Sequence, residues 1–353
     1  MLGLTLLAAL AVMGWVMKAS ARAIWLMLAV IWLALVAAHL PLPGFAPLGR
    51  VLGGSLAGWL GLGVVSALVL GYRRMLRAIR ARVPEPDATA APTRPDQFSG
   101  AELDRYSRHI MLREIGGPGQ KRLRQARVLV VGAGGLGAPV LLYLAAAGVG
   151  RIGVIDDDTV SNSNLQRQVI HRDADIGAPK VVSARAALKA LNPHIEILTY
   201  ERRLSAEDAP ELIAQFDLVI DGSDNFETRY LVNAACVATA TPLISGAITQ
   251  WEGQLSLYDP ARGAPCYACL FPQAPAPGLA PSCAEAGVVG ALPGVIGAMM
   301  ATEAIKEITG AGQTARGRLM IHDALWGESR QIKITRDPNC PVCAALDTRA
   351  DPA

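Results

Sequence analysis

The sequence predicts an α/β fold, a doubly wound, mostly parallel sheet with an antiparallel extension, preceded by three membrane-spanning helices. Three observations carry that expectation. The first 72 residues hold no acidic residue and only three basic ones, Lys18, Arg22 and Arg50. Residues 127–137, RVLVVGAGGLG, run a short apolar strand into a glycine-rich turn. Beyond that turn, helix-length and strand-length apolar runs alternate, as they do in βαβ units.

The N-terminal part comes first in the chain. Apolar runs cover residues 2–17, 23–40 and 51–72. Crossing the hydrocarbon core takes about 20 apolar residues, with roughly 17 near the lower limit. The second and third runs meet that length and the first is marginal. Breaks at 18–22 and at the proline-rich 41–50 separate them. Trp15, Trp25 and Trp59 stand near run ends or within reach of an interface, where amphipathic indole rings prefer to sit. Arg73, Arg74, Arg77, Arg80 and Arg82 crowd after the third run and predict a cytoplasmic side there, with Lys18 and Arg22 also inside and the N-terminus outside. Gly53, Gly54, Gly58, Gly61 and Gly63 predict a small-residue face for close helix packing. Ala19-Ser20-Ala21 resembles a signal-peptide cleavage site, but no basic segment precedes it and further apolar runs follow. The expectation is a multi-pass anchor, residues 1–82, in the inner (cytoplasmic) membrane. Apart from His39 it carries no ionisable residue within its runs, which argues against transport.

The proline-rich stretch 83–99 reads as a semi-rigid linker. A soluble domain is expected over residues 100–345, with a tail at 346–353. The net charge of +3 gives no case for a nucleic-acid partner.

In the soluble part, Gly132, Gly134 and Gly137 form G-x-G-x-x-G between the first strand and a helix at 138–147. A second strand, 151–155, ends at Asp156, placed to hydrogen-bond a ribose. Such a Rossmann-like unit binds a nucleotide, with NAD as the default. The following segment changes that default. Asn164, Arg167 and Gln168 lie just beyond the second strand, and Lys180 begins the helix at 181–191. Another strand, 216–220, delivers Asp221, Asp224 and Asn225 to the same edge. An Arg, a Lys and an Asp converging there suit a triphosphate and a metal ion, and hydride transfer needs no such set. The bland alternative is a solvated basic face with the aspartates capping the next helix; Asp221 is the more structural of the two.

Two C-x-x-C pairs, Cys266/Cys269 and Cys340/Cys343, have the spacing of a structural Zn²⁺ site, with local redox pairs or buried thiols as alternatives. Cys283 lies in PSCAEAG after a Pro- and Ala-rich stretch that reads as a loop; a nucleophilic role there would need a depressed thiol pKa. Cys236, within an apolar helix, reads as core. Residues 246–257 and 318–334 read as strands extending the sheet, and 287–309 as an apolar helix at a dimer contact.

In their order, RYSRHIMLREIG, GAGGLG, DDDTVSNSNLQRQ, GAPK, DGSDN, the C-x-x-C pairs and CAEAGV resemble the MoeB/ThiF/HesA family, the bacterial branch of ubiquitin-activating-type enzymes. The resemblance spans residues 103–343 and leaves the apolar segment uncovered. It implies ATP-dependent adenylation of the C-terminal glycine of a small ubiquitin-like sulfur carrier of the MoaD/ThiS type, ending in Gly-Gly, for molybdopterin or thiamine biosynthesis. Asp156 would bind the ATP ribose, and Asn164, Arg167 and Lys180 its phosphates. Asp224 would hold Mg²⁺. Arg108 would reach into the partner's site of a homodimer as an arginine finger. Cys283 would take the activated carboxylate or join a persulfide relay. With no sulfurtransferase-like extension after Cys343, any sulfur donor would be a separate protein. Adenylation of a tRNA or small molecule, or NAD-linked redox chemistry on the same fold, are the alternatives.

Overall fold

A computed structural model of the chain describes residues 2–17, 21–40, 51–82, 97–276 and 286–346. The chain divides into two compact units, Met1–Pro92 and Thr93–Ala353.

The first unit contains helices α1 (Leu2–Val16), α2 (Ala21–Ala37) and α3 (Leu56–Arg82). Of the three spans expected, one is found among the described residues: Leu56–Leu76 is long and apolar enough to cross a membrane. At 15 and 17 residues, α1 and α2 fall short. Helical rise makes them about 22 and 26 Å long against a hydrocarbon core of about 30 Å. The apolar runs overestimated them because Met17 and Ala38–Leu40 belong to turns. One such helix is by itself weak evidence for a membrane anchor.

Trp59 is not an interface anchor either. It is buried, and its indole N–H donates to the Gly53 carbonyl at 3.3 Å. The glycines do not form one helix face. Gly53 and Gly54 precede α3 with positive φ; Gly54 lies against the Trp59 ring, and within α3 Gly63 lies against the Trp32 ring.

The second unit opens with α4 (Gly100–Ile110) and α5 (Gly116–Gln125). Ser99 caps α4 in a capping box with Glu102, which fixes where the helix starts. The βαβ reading holds: β1 (Arg127–Val131), α6 (Gly137–Ala147) and β2 (Arg151–Ile155) follow, with β1 and β2 parallel. Next come α7 (Lys180–Leu191), β3 (Glu196–Tyr200), α8 (Ala209–Ile213), β4 (Leu218–Asp221), α9 (Phe226–Thr239) and β5 (Leu243–Ile248). The remainder is β6 (Glu252–Tyr258), α10 (Tyr267–Leu270), α11 (Leu292–Thr309), β7 (Arg318–Asp323) and β8 (Glu328–Lys333).

These strands form one sheet in the order β3-β2-β1-β4-β5-β6-β7-β8. β3 to β5 are parallel and β5 to β8 antiparallel. The stretches 246–257 and 318–334 do extend the sheet, as parts of the hairpins β5–β6 and β7–β8. Neither turn carries the Asn-Gly or Asp-Gly signal that announces a tight hairpin.

The central strands are buried on both faces, as a parallel sheet covered by helices requires. α11 lies on β5 and β6, with Ile296 against Gly253 and Met300 against Gly246. Its Leu292, Ile296, Met300 and Ala304 therefore belong to this chain's own core, while Val295 on the same helix is exposed.

Candidate active site

Strand order reverses between β1 and β4, so a crevice opens beyond their C-terminal ends. The glycine-rich turn forms one wall. Gly132 has φ +94°, a left-handed value only glycine adopts freely. A Cβ on Gly137 would lie 1.9 Å from the Gly132 carbonyl oxygen, so the first turn of α6 closes only around glycine. Asp156, directly after β2, accepts a hydrogen bond from the Ala133 N–H at 2.7 Å and from the Asp158 N–H at 2.8 Å. Burial pushes its carboxyl above the usual range, and Lys180 and the two N–H groups pull it back.

The segment after β2 folds over this turn. The Arg167 guanidinium donates to the Ser163 carbonyl at 3.1 Å and to Asn164 Oδ1 at 3.3 Å. Arg167 Cδ is 3.8 Å from the position a Gly135 Cβ would take, which places the side chain over the turn. Gln168 is buried with Nε2 against Gly134. Lys180, at the start of α7, is buried and pairs with Asp158 at 2.7 Å.

The opposite wall follows β4. Gly222 and Ser223 backbone lie against Gly132, which brings this loop to the glycine-rich turn. Asp221 is fully buried, accepting from the Ser223 N–H at 2.9 Å and from Ser245 Oγ at 3.0 Å. Beneath it, buried Arg229 donates to the Gly246 carbonyl at 2.8 Å and to the Ser223 carbonyl. Asp224 is exposed. Asn225 caps α9, accepting from the Thr228 N–H at 2.8 Å. That capping role, rather than a free amide, is where the structure puts Asn225 Oδ1.

The glycines, Asp156, Asn164, Arg167, Gln168, Lys180 and Asp224 are thus gathered at one edge. Arg108 is not. Tyr106, one half-turn before it, packs on Gly148 and accepts a hydrogen bond from Asn192 at 2.8 Å, at the C-terminal ends of α6 and α7. The glycine-rich turn lies at the other end of α6, about 16 Å away by helical rise. Arg108 is exposed and has no ion pair or hydrogen-bond acceptor among the described residues. Cys283 lies outside the described residues.

Sequence reasoning missed His171, Asp158 and Arg229. His171 is buried behind the glycine-rich turn, with Nε2 at 3.0 Å from the Ala133 carbonyl and Nδ1 at 2.8 Å from Ser183 Oγ. Each of the three earns its place through a partner distant in sequence or from a buried position, and no local pattern marks it. A cavity of about 700 Å³ opens elsewhere, lined by Arg262, Arg316 and Lys333 among others, and includes none of the strand-end residues.

The four cysteines meet as expected. Sγ separations are 3.8 Å for Cys266–Cys269, 3.6 Å for Cys266–Cys340 and 3.5 Å for Cys269–Cys343. A tetrahedron with Zn–S bonds of about 2.3 Å has S–S edges of about 3.8 Å, whereas a disulfide would bring sulfurs to about 2 Å. Burial pushes the Cys266 thiol well above its ordinary range, so a bound cation is what would hold it as thiolate.

The family model described as "ThiF family" matches residues 106–342. The chain belongs to the ThiF family. The sulfur carrier protein adenylyltransferase of Thermus thermophilus is 50% identical over 259 residues, 72% of this chain and 96% of that protein. The SAMP-activating enzyme E1 of Haloferax volcanii is 50% identical over 246 residues, 70% of this chain and 90% of its own length. The solved structure of E. coli MccB with ATP superposes with a TM-score of 0.59 at 25% identity, covering 68% of this chain and 74% of that one. The chain is an adenylyltransferase of this family. A ThiF-family site of this composition has cations on one side of the crevice and an exposed carboxylate on the other. It can neutralise a polyphosphate.

Proposed function

We propose that this chain activates the C-terminal glycine of a small ubiquitin-like sulfur-carrier protein by adenylation. The carrier's carboxylate, already ionised at neutral pH, attacks the α-phosphorus of ATP; the bond to the leaving pyrophosphate breaks and an acyl-adenylate forms. Both reactants are anions, so the site must offset charge and hold them in line. Arg167 and Lys180 bind the phosphates, and Asp156 takes the ribose. Asp224 is an exposed oxygen ligand beside the crevice, and it fits Mg²⁺, which takes one or two carboxylates and completes its shell with phosphate oxygens and water. That ion would add positive charge where negative charge builds up. Structural Zn²⁺ fits the four cysteines.

The observation that supports the reading best is the gathering of Arg167, Lys180 and Asp224 at the switch point, in a chain half identical to a relative named for a sulfur carrier. Arg108, far from its own chain's crevice, serves the crevice of a partner in a homodimer. Cys283 serves the step that follows the acyl-adenylate. The catalytic domain, 100–345, lies in the cytoplasm, tethered at the inner membrane through Leu56–Leu76, whose basic end holds Arg73 and Arg74 inside. Release of the full-length chain from membranes by alkaline carbonate would sink the tether.

The test is exchange of radiolabelled pyrophosphate into ATP by the full-length chain. Exchange is expected only with a carrier ending in Gly-Gly. Exchange driven by a small molecule or tRNA and indifferent to carriers would replace the substrate class.

A further inference from the structure

We propose that His171 is a positioning residue for the nucleotide, holding the Ala133 carbonyl so that the N–H of Gly134 faces the phosphates. The inference rests on ATP binding at the glycine-rich turn.

The Ala133 residue is gripped on both sides. Its N–H donates to Asp156 at 2.7 Å, and its carbonyl lies 3.0 Å from His171 Nε2. In a planar trans peptide the carbonyl and the following N–H point in opposite directions. Fixing the Ala133 oxygen on the His171 side therefore aims the Gly134 N–H away from it, toward the crevice. That N–H has no acceptor among the described residues. It sits just ahead of α6, where backbone N–H groups and the helix dipole together receive phosphate. Gln168, packed on Gly134, closes the turn from another side.

The ring is itself held. A carbonyl only accepts, so Nε2 carries the proton that bonds Ala133. Nδ1 lies 2.8 Å from Ser183 Oγ, and Ser183 Oγ is 2.7 Å from Asp175 Oδ2. A neutral ring accepts from the Ser183 hydroxyl; a charged ring donates to it, and the hydroxyl proton turns to Asp175. The Nε2–H···O bond survives in both states. The charged groups that act on the ring are Lys180, Asp156 and Asp175. None of the three displaces that bond.

Asparagine and glutamine separate the two ring positions. An Asn amide reaches where Nδ1 stands, and a Gln amide where Nε2 stands. The experiment measures KM for ATP and kcat in pyrophosphate exchange by the full-length chain and its His171→Asn and His171→Gln variants. Losing the donor to Ala133 is expected to raise KM for ATP about tenfold in His171→Asn, while His171→Gln restores it to within about twofold. A role confined to stability would instead lower the folded fraction, scaling kcat and leaving KM alone. Equal KM values for the two variants, or a wild-type KM in His171→Asn, overturn the proposal. No saturable dependence on ATP in the wild-type chain would overturn the nucleotide reading itself, which is a separate result.

Discussion

Asp221 and Asp224 stand three positions apart in DGSDN and serve different ends. Asp221 is sealed under the loop by Ser223, Ser245 and Arg229, and Asp224 stands in solvent at the crevice. The sequence already favoured Asp221 as structural, because it falls at the end of an apolar strand. What it could not reveal was the cation below it. Arg229 is a helix residue like any other until α9 packs over β5. The same holds for His171, whose partners Ala133 and Ser183 lie 38 and 12 positions away. The glycines and Asp156 were legible because strand, turn, helix and strand set their spacing locally. His171 also makes the fold sensitive to acid. Burial first of all, then Lys180, holds its pKa below the free imidazole value, against opposing contributions from the Ala133 carbonyl, Asp156 and Asp175. The unfolded chain therefore binds a proton the folded chain refuses as pH falls below about 6.5, and stability drops through that window. Asp156 acts with the opposite sign further down, since its raised pKa lets the folded state take up a proton first. Urea midpoints at pH 5.5 and 7.5 should differ less in His171→Gln than in wild type. An unchanged difference would mean the imidazole is not the sensitive group.

At the scale of elements, the parallel half of the sheet was read more faithfully than the antiparallel half. β1 and β2 have the bounds their apolar runs suggest, because both faces are buried and the runs are continuous. The hairpins β5–β6 and β7–β8 fall within alternating stretches that mark strand but not where the chain turns. Their turns, at Thr249–Trp251 and Ala324–Gly327, lack a tight-turn dipeptide, and both turns carry a tryptophan that looks like strand. The apolar runs of the first unit overstate the number of membrane spans for a related reason: hydropathy does not mark where helical hydrogen bonding stops. The cysteine clasp, in contrast, was legible because metal ligation is a constraint on spacing. It ties α10 to the turn after β8 and packs on Val237 of α9. Removing its ion, or changing Cys340→Ser, should lower the thermal midpoint by on the order of 10 °C and release about one Zn²⁺ per chain to a chelator. A midpoint untouched by chelator, with no metal released, would leave the four sulfurs as packed thiols.

For the whole molecule, α4 packs at the C-terminal ends of α6 and α7, opposite the strand ends that form the crevice. The proposed catalytic role of Arg108 therefore requires a second copy of the chain. Mixing Arg108→Ala with Asp224→Ala chains tests this. Random re-pairing makes half the dimers mixed, each with one intact crevice, so about a quarter of wild-type activity should return. A finger acting within its own chain returns none. What the crevice does to a carrier protein decides the proposed function. Intact-mass measurement of a Gly-Gly carrier after incubation with ATP, Mg²⁺ and the full-length chain reads this directly. The expected result is a carrier heavier by one adenylyl group with wild-type enzyme and an unmodified carrier with Asp224→Ala. Equal adenylation by both would place the chemistry elsewhere in the molecule and contradict the site described above.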